Sequence, residues 1–122
     1  DISIPIEKIP LFLKEARGSL TDFRKNNILT FGHLAEGNLH YNISKPKTMP
    51  MSVFNKLHKK VNSNIFNLVH DLGGSFSAEH GIGLIKKKEF KKYTSKEEFL
   101  IKYNLKKLLD PNNIMNPGKI FN

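Results

Sequence analysis

Phe54, Leu57, Val61, Ile65, Leu68 and Leu72 recur every three or four residues along one stretch of the chain. That spacing puts them on one face of an α-helix about five turns long. An apolar stripe of this kind has to be buried against another layer. Gly73 and Gly74 follow at once and mark the helix end. The rest of the chain must therefore supply the surface that this helix covers.

The flanking segments read as a sheet. The opening DISIP alternates apolar Ile2 and Ile4 with polar Asp1 and Ser3, a short half-buried strand closed by Pro5. Ile6, Ile9, Leu13 and Ala16 then fall at helical spacing, in a helix that ends near Gly18 or runs on to about Phe23. NILTFGH at Asn27–His33 and NLHYNI at Asn38–Ile43 read as the two strands of a hairpin around the turn LAEG. After the long helix, GSFSA reads as a fourth short strand. The order β-α-β-β-α-β predicts an α+β, ferredoxin-like antiparallel sheet with helices on one face and the other face open. The tail adds a C-terminal helical extension. Ser95 and Glu98 form a capping box, Ile101, Leu105 and Leu108 form the stripe, Asp110-Pro111 ends the helix, and NPGKI makes a turn. With no internal repeat and no low-complexity linker, residues 1–122 read as one domain.

Composition narrows the chemistry. The chain has no Cys, which excludes disulfides, thiolate metal sites and cysteine nucleophiles, so any metal must be held by His and carboxylate. No apolar run reaches the roughly 18 residues that span a bilayer. The net charge of +9 raises the possibility of a nucleic-acid partner. Eighteen of the twenty basic residues are Lys, however, whereas base readout favours Arg forks. The densest run, Lys86–Lys87–Lys88 with Lys91–Lys92, reads as a solvated face.

Five histidines are the chemically informative residues. His33 closes the second strand, His40 lies in the third, and both project from one sheet face if the hairpin sets them opposite each other. Asn42 shares that face, because side chains alternate along a strand. Glu79 and His80 end the fourth strand inside GGSFSAEHGIG, between two glycine pairs. Two imidazoles and a carboxylate on converging strands make a candidate divalent-metal site, open to zinc, manganese or iron(II), with positions left for water or substrate. A single His at a strand end is ordinarily just a hydrogen-bonding residue, but three beside glycines are harder to explain so. His58 and His70 fall off the apolar stripe and read as surface residues. Glu36 is a candidate fourth ligand whose place in the turn favours a supporting or capping role, and Lys119 reads as a solvated terminal lysine before it reads as an anion anchor. At this point a flavin-free metal-dependent hydrolase and a basic nucleic-acid-binding module both stay open.

FGHLAEGNLHYN resembles the Gly-His-x-Gly-Asp-Gly-Asn-Leu-His segment of the FAD-linked oxidases, the group of D-lactate dehydrogenase, glycolate oxidase and D-2-hydroxyglutarate dehydrogenase. GGSFSAEHGIG is similar to that family's second signature and LDPNNIMNPGKI to its C-terminal one, while DISIP matches the strand with which its C-terminal domain continues. The resemblance covers the chain from Asp1 to Phe121. It implies that His33, His40 and Glu79 are ligands of a divalent metal, that His80 is the general base, and that Asn42 contacts substrate. Less directly, it implies that Asn116 in the C-terminal turn comes near the flavin. It also implies a small 2-hydroxy acid as substrate and FAD as hydride acceptor, with an unidentified electron acceptor beyond the flavin. The FAD-binding domain is expected upstream of Asp1, so that this fragment alone folds but is inactive. A cytoplasmic enzyme, or one held at a membrane periphery through its electron acceptor, is the expectation. So is a homodimer across the open sheet face, and no nucleic-acid partner. Ala35 and Glu36 stand where the family has Gly and Asp, which alters the turn between the histidines; Ala78 replaces a frequent Gly.

Overall fold

Three strands, β1 (Ile2–Ser3), β2 (Ile28–His33) and β3 (Asn38–Ile43), form an antiparallel sheet in the order β1-β3-β2. This computed structural model describes residues 1–21, 23 and 27–121. They divide into two compact units, Asp1–His80 and Gly81–Asn122. The fold is α+β, with four α-helices and three strands among the described residues.

In the first unit β3 lies between β1 and β2, so the connection through α1 (Ile9–Gly18) splits the β-α-β unit as the element order predicts. α1 ends at Gly18, and the alternative of a run to Phe23 falls partly outside the described residues. Alternation along β3 sorts the two faces. Leu39, Tyr41 and Ile43 face the core, where they meet Ile9, Phe12 and Ala16 of α1 and Val61, Ile65 and Val69 of α2 (Met51–Asp71). Phe12 is fully buried, which contributes about 1.5–3 kcal/mol, and its ring meets Tyr41 edge-on at 5.5 Å. Burial pushes the Tyr41 phenol above its ordinary pKa of 10.0.

α2 ends as its glycines require. The Gly74 N–H bonds the Val69 carbonyl at 2.8 Å and the Gly73 N–H bonds that of His70 at 2.9 Å, the two bonds of a Schellman motif. Gly73 takes φ 77°, and a Cβ on Gly74 would stand 2.2 Å from the Ser3 carbonyl oxygen. Lys8 adds its ammonium to the Leu72 carbonyl at 2.9 Å, a cation at the negative end of the helix.

The fourth strand is shorter than the sequence predicts. Only Ser75 pairs, in an isolated antiparallel bridge to Ser3. The Ser75 hydroxyl donates to the Ser77 carbonyl at 3.0 Å and accepts from the Ser77 N–H at 3.3 Å. These local bonds curl the chain out of the ladder.

The second unit holds α3 (Lys87–Tyr93) and α4 (Lys96–Leu109). α3 occupies the run read as a solvated face; Lys88, Lys91 and Lys92 are exposed, Lys87 is half-buried and Phe90 is buried. The Ser95 hydroxyl accepts from the Glu98 N–H at 3.1 Å and caps α4. Rings of Phe90, Phe99 and Phe121 meet at 5.6–5.9 Å. Asp110 ends α4 and is buried, accepting from Lys106 and from the N–H groups of Ile114 and Met115 at 2.8 and 2.9 Å. The Lys106 hydrogen bond, helped by those two N–H groups, holds the Asp110 carboxyl below its usual 3.8. No described helix is long and apolar enough to cross a membrane.

Candidate metal and acid-base centre

The sheet face away from α1 and α2 carries the polar residues. Strand pairing sets Leu29 opposite Asn42, Phe31 opposite His40 and His33 opposite Asn38, and all six side chains lie on that one face. Leu29 and Phe31 are 63% and 52% exposed, so apolar surface flanks the imidazoles. His40 packs on Phe31 with ring centroids 5.1 Å apart, and its side chain is 16% exposed. Asn38 is buried, and its Oδ1 has no hydrogen-bond partner.

The curled segment after Ser75 brings Glu79 and His80 to this face. Glu79 Oε1 stands 3.1 Å from His40 Nε2 and 3.3 Å from His80 Nε2, so one carboxylate oxygen sits between two imidazoles. The His40 and His80 rings lie 5.6 Å apart. The Asp1 carboxylate joins them, and the ligating atoms of Asp1, His40, Glu79 and His80 all fall within 4.8 Å of one another. Among them, the His40 imidazole and the Glu79 carboxylate are nitrogen and oxygen donors of the kind that suit a borderline divalent cation. Without one, that carboxylate oxygen can accept a hydrogen bond from either imidazole.

The sequence-derived site is therefore brought together in part. His40, Glu79 and His80 converge, whereas His33 stands outside that group: it is exposed, at the end of β2, paired with Asn38 rather than His40. The register explains this. Leu34–Glu36 forms a 3-10 turn closed by Gly37 at φ 66°, which fixes His33 against Asn38 and sets His40 two pairs back, opposite Phe31. Asn42 shares the face and is exposed. Asn116 belongs to the second unit, exposed, at φ 47°. His58 and His70 are exposed on α2. Sequence reading missed Asp1 as a member of the group. The second unit also has its own cleft of about 690 Å³, where Lys87, Lys88 and Lys91 rim an apolar floor that includes Phe99, Tyr103 and Phe121.

Known proteins align with nearly the whole chain. It is 41% identical over 122 residues to D-2-hydroxyglutarate dehydrogenase of Stutzerimonas stutzeri, covering 99% of this chain and 26% of that protein. It is 37% identical to the mitochondrial D-2-hydroxyglutarate dehydrogenase of Arabidopsis thaliana, covering 98% of this chain and 20% of that protein. It is 30% identical to D-lactate dehydrogenase of Archaeoglobus fulgidus, covering 98% of this chain and 26% of that protein. The chain thus spans a fifth to a quarter of the length of these relatives. Residues 1–120 match the family described as FAD linked oxidases, C-terminal domain, and the chain belongs to that family.

Proposed function

We propose that this chain is the C-terminal, substrate- and metal-binding domain of an FAD-dependent D-2-hydroxy acid dehydrogenase whose flavin domain lies upstream. The observation that carries this reading is Glu79 Oε1 held between His40 and His80 on an open sheet face. Relatives named for D-2-hydroxyglutarate and D-lactate, aligned over nearly the whole chain, support the substrate class.

Oxidation of a 2-hydroxy acid removes the hydroxyl proton and a hydride from one carbon. FAD, when bound, supplies the hydride acceptor that side chains lack. A divalent cation, when bound, supplies Lewis acidity toward the hydroxyl and carboxylate of the substrate. His40 and Glu79, 3.1 Å apart, would hold the cation, and His33, outside that cluster but exposed on the same sheet face, would be the third ligand, from the hairpin end. His80, the more exposed imidazole at 65%, is the base: with Nε2–H turned to the Glu79 carboxylate, Nδ1 is the nitrogen that takes the hydroxyl proton. Asn42 offers an amide to the substrate on the same face, and exposed Leu29 and Phe31 give that face apolar surface beside the imidazoles. Asn116, in the C-terminal turn, would contact the flavin when it is bound.

The full-length protein provides the test. Anaerobic addition of D-2-hydroxyglutarate, D-lactate or glycolate is expected to bleach the flavin absorbance with one of the three. An intact flavin spectrum with all three would overturn the dehydrogenase reading, and ester or amide hydrolysis without flavin would replace it with a metal-dependent hydrolase.

A further inference from the structure

Asp1 is brought to the centre by the Ser3–Ser75 bridge. Continuing that antiparallel pairing by two residues in each chain sets Asp1 beside Ser77. Both of its carboxylate oxygens are engaged there. Oδ1 accepts from the Glu79 N–H at 3.1 Å, and Oδ2 accepts from the His80 N–H at 3.3 Å and the Ser77 hydroxyl at 3.2 Å. Two successive backbone N–H groups converging on one anion form a small anion-binding concavity. Here the anion belongs to the chain itself. At least three of the carboxylate's roughly four acceptor positions are filled in this way.

We propose that Asp1 is a positioning residue, whose carboxylate fixes the backbone of Glu79 and His80 so that Glu79 Oε1 stands between the imidazoles. This rests on the reading of Glu79 as ligand and His80 as base. The segment needs such a tie, because beyond Ser75 it has left the sheet ladder and both Glu79 and His80 are exposed. Asp1→Asn keeps the size and shape of the side chain but turns one acceptor into a donor. Whichever way the amide is placed, its NH2 faces an N–H group, so at least one bond is lost and a donor-donor contact appears.

The experiment compares wild type, Asp1→Asn and Asp1→Glu in the full-length protein. Asp1→Asn is expected to speed hydrogen exchange of the Glu79 and His80 amides and to lower kcat, each about tenfold or more, the loss of a hydrogen bond to a charged group. KM and Tm should stay near wild type, bound zinc or manganese should be stripped more readily by a chelator, and Asp1→Glu, which keeps both acceptors, should recover part of kcat. Wild-type amide exchange and wild-type kcat in Asp1→Asn would overturn the proposal. So would a large fall in Tm with kcat per folded enzyme unchanged, which is the mark of a purely structural contact. If the wild-type protein oxidises no 2-hydroxy acid, the functional reading fails, and amide exchange with metal retention still decides the role of Asp1. Faster exchange and weaker retention support it; no change in either refutes it.

Discussion

Among the described residues, eleven of the twelve buried apolar side chains belong to Asp1–His80, and Phe90 alone represents Gly81–Asn122. The first unit is a sheet covered by two helices, with a continuous core. The second is a pair of helices held by ring contacts and by one buried carboxylate, while α4 buries no residue and leaves Leu100, Ile101, Leu105, Leu108 and Leu109 exposed. The difference teaches where a precise constellation can be kept. Catalytic geometry has to hold within a fraction of an ångström, which packed strands provide more readily than sparsely buried helices. The His–Glu–His group is accordingly found in the first unit.

The largest expected contrast is in stability. Phe12→Ala empties the centre of the first core and is expected to cost about 3–5 kcal/mol, whereas Leu108→Ala on the exposed side of α4 should change stability by no more than about 0.5 kcal/mol. Denaturant unfolding of the two variants checks this; equal effects would erase the distinction between the units. Next comes the cap of α4. Ser95→Ala removes the acceptor for the Glu98 N–H and is expected to cost about 1 kcal/mol, read as earlier fraying of α4 in amide exchange, with the protection of β3 unchanged.

The smallest effect is a response to acid in the second unit. The Asp110 carboxyl has its pKa lowered by folding, so its contribution is fully present above the ordinary value of 3.8 and fades as pH falls below it toward the depressed folded value. Amides of Ile114 and Met115 are therefore expected to lose protection as pH drops below about 4, and Asp110→Asn to remove that dependence. Protection that stays flat through this range would show that the carboxylate does not hold the turn.

Much of the first unit was legible in the sequence, for a physical reason. β3 runs over the six residues that alternation marks, and α2 follows a stripe that only a helix can bury on one side. What escaped was set by single contacts with no periodic signal. Val69, fully buried, lies at the inner edge of a stripe that reads more strongly through half-buried Leu68 and Leu72. α3 has one buried residue among lysines, too little to produce a stripe. The fourth strand gave way to hydroxyl–backbone bonds at Ser75 and Ser77. At the site, the common face of His40 and Asn42 follows from alternation, and His80 follows Glu79 directly. The offset of His33 depends on the 3-10 turn, and the partners of Asp1 lie 76 to 79 residues away, beyond any local pattern.

The division of labour within the His–Glu–His group is tested most directly by His40→Ala and His80→Ala in the full-length protein, with metal content and turnover measured on the same preparations. His40→Ala is expected to lose both, because it removes the more buried imidazole that faces Glu79. His80→Ala is expected to keep the metal while turnover falls about 10²–10⁴-fold, the usual loss on removing a general base. Metal lost from His80→Ala and retained by His40→Ala would contradict the assignment and exchange the roles of the two histidines.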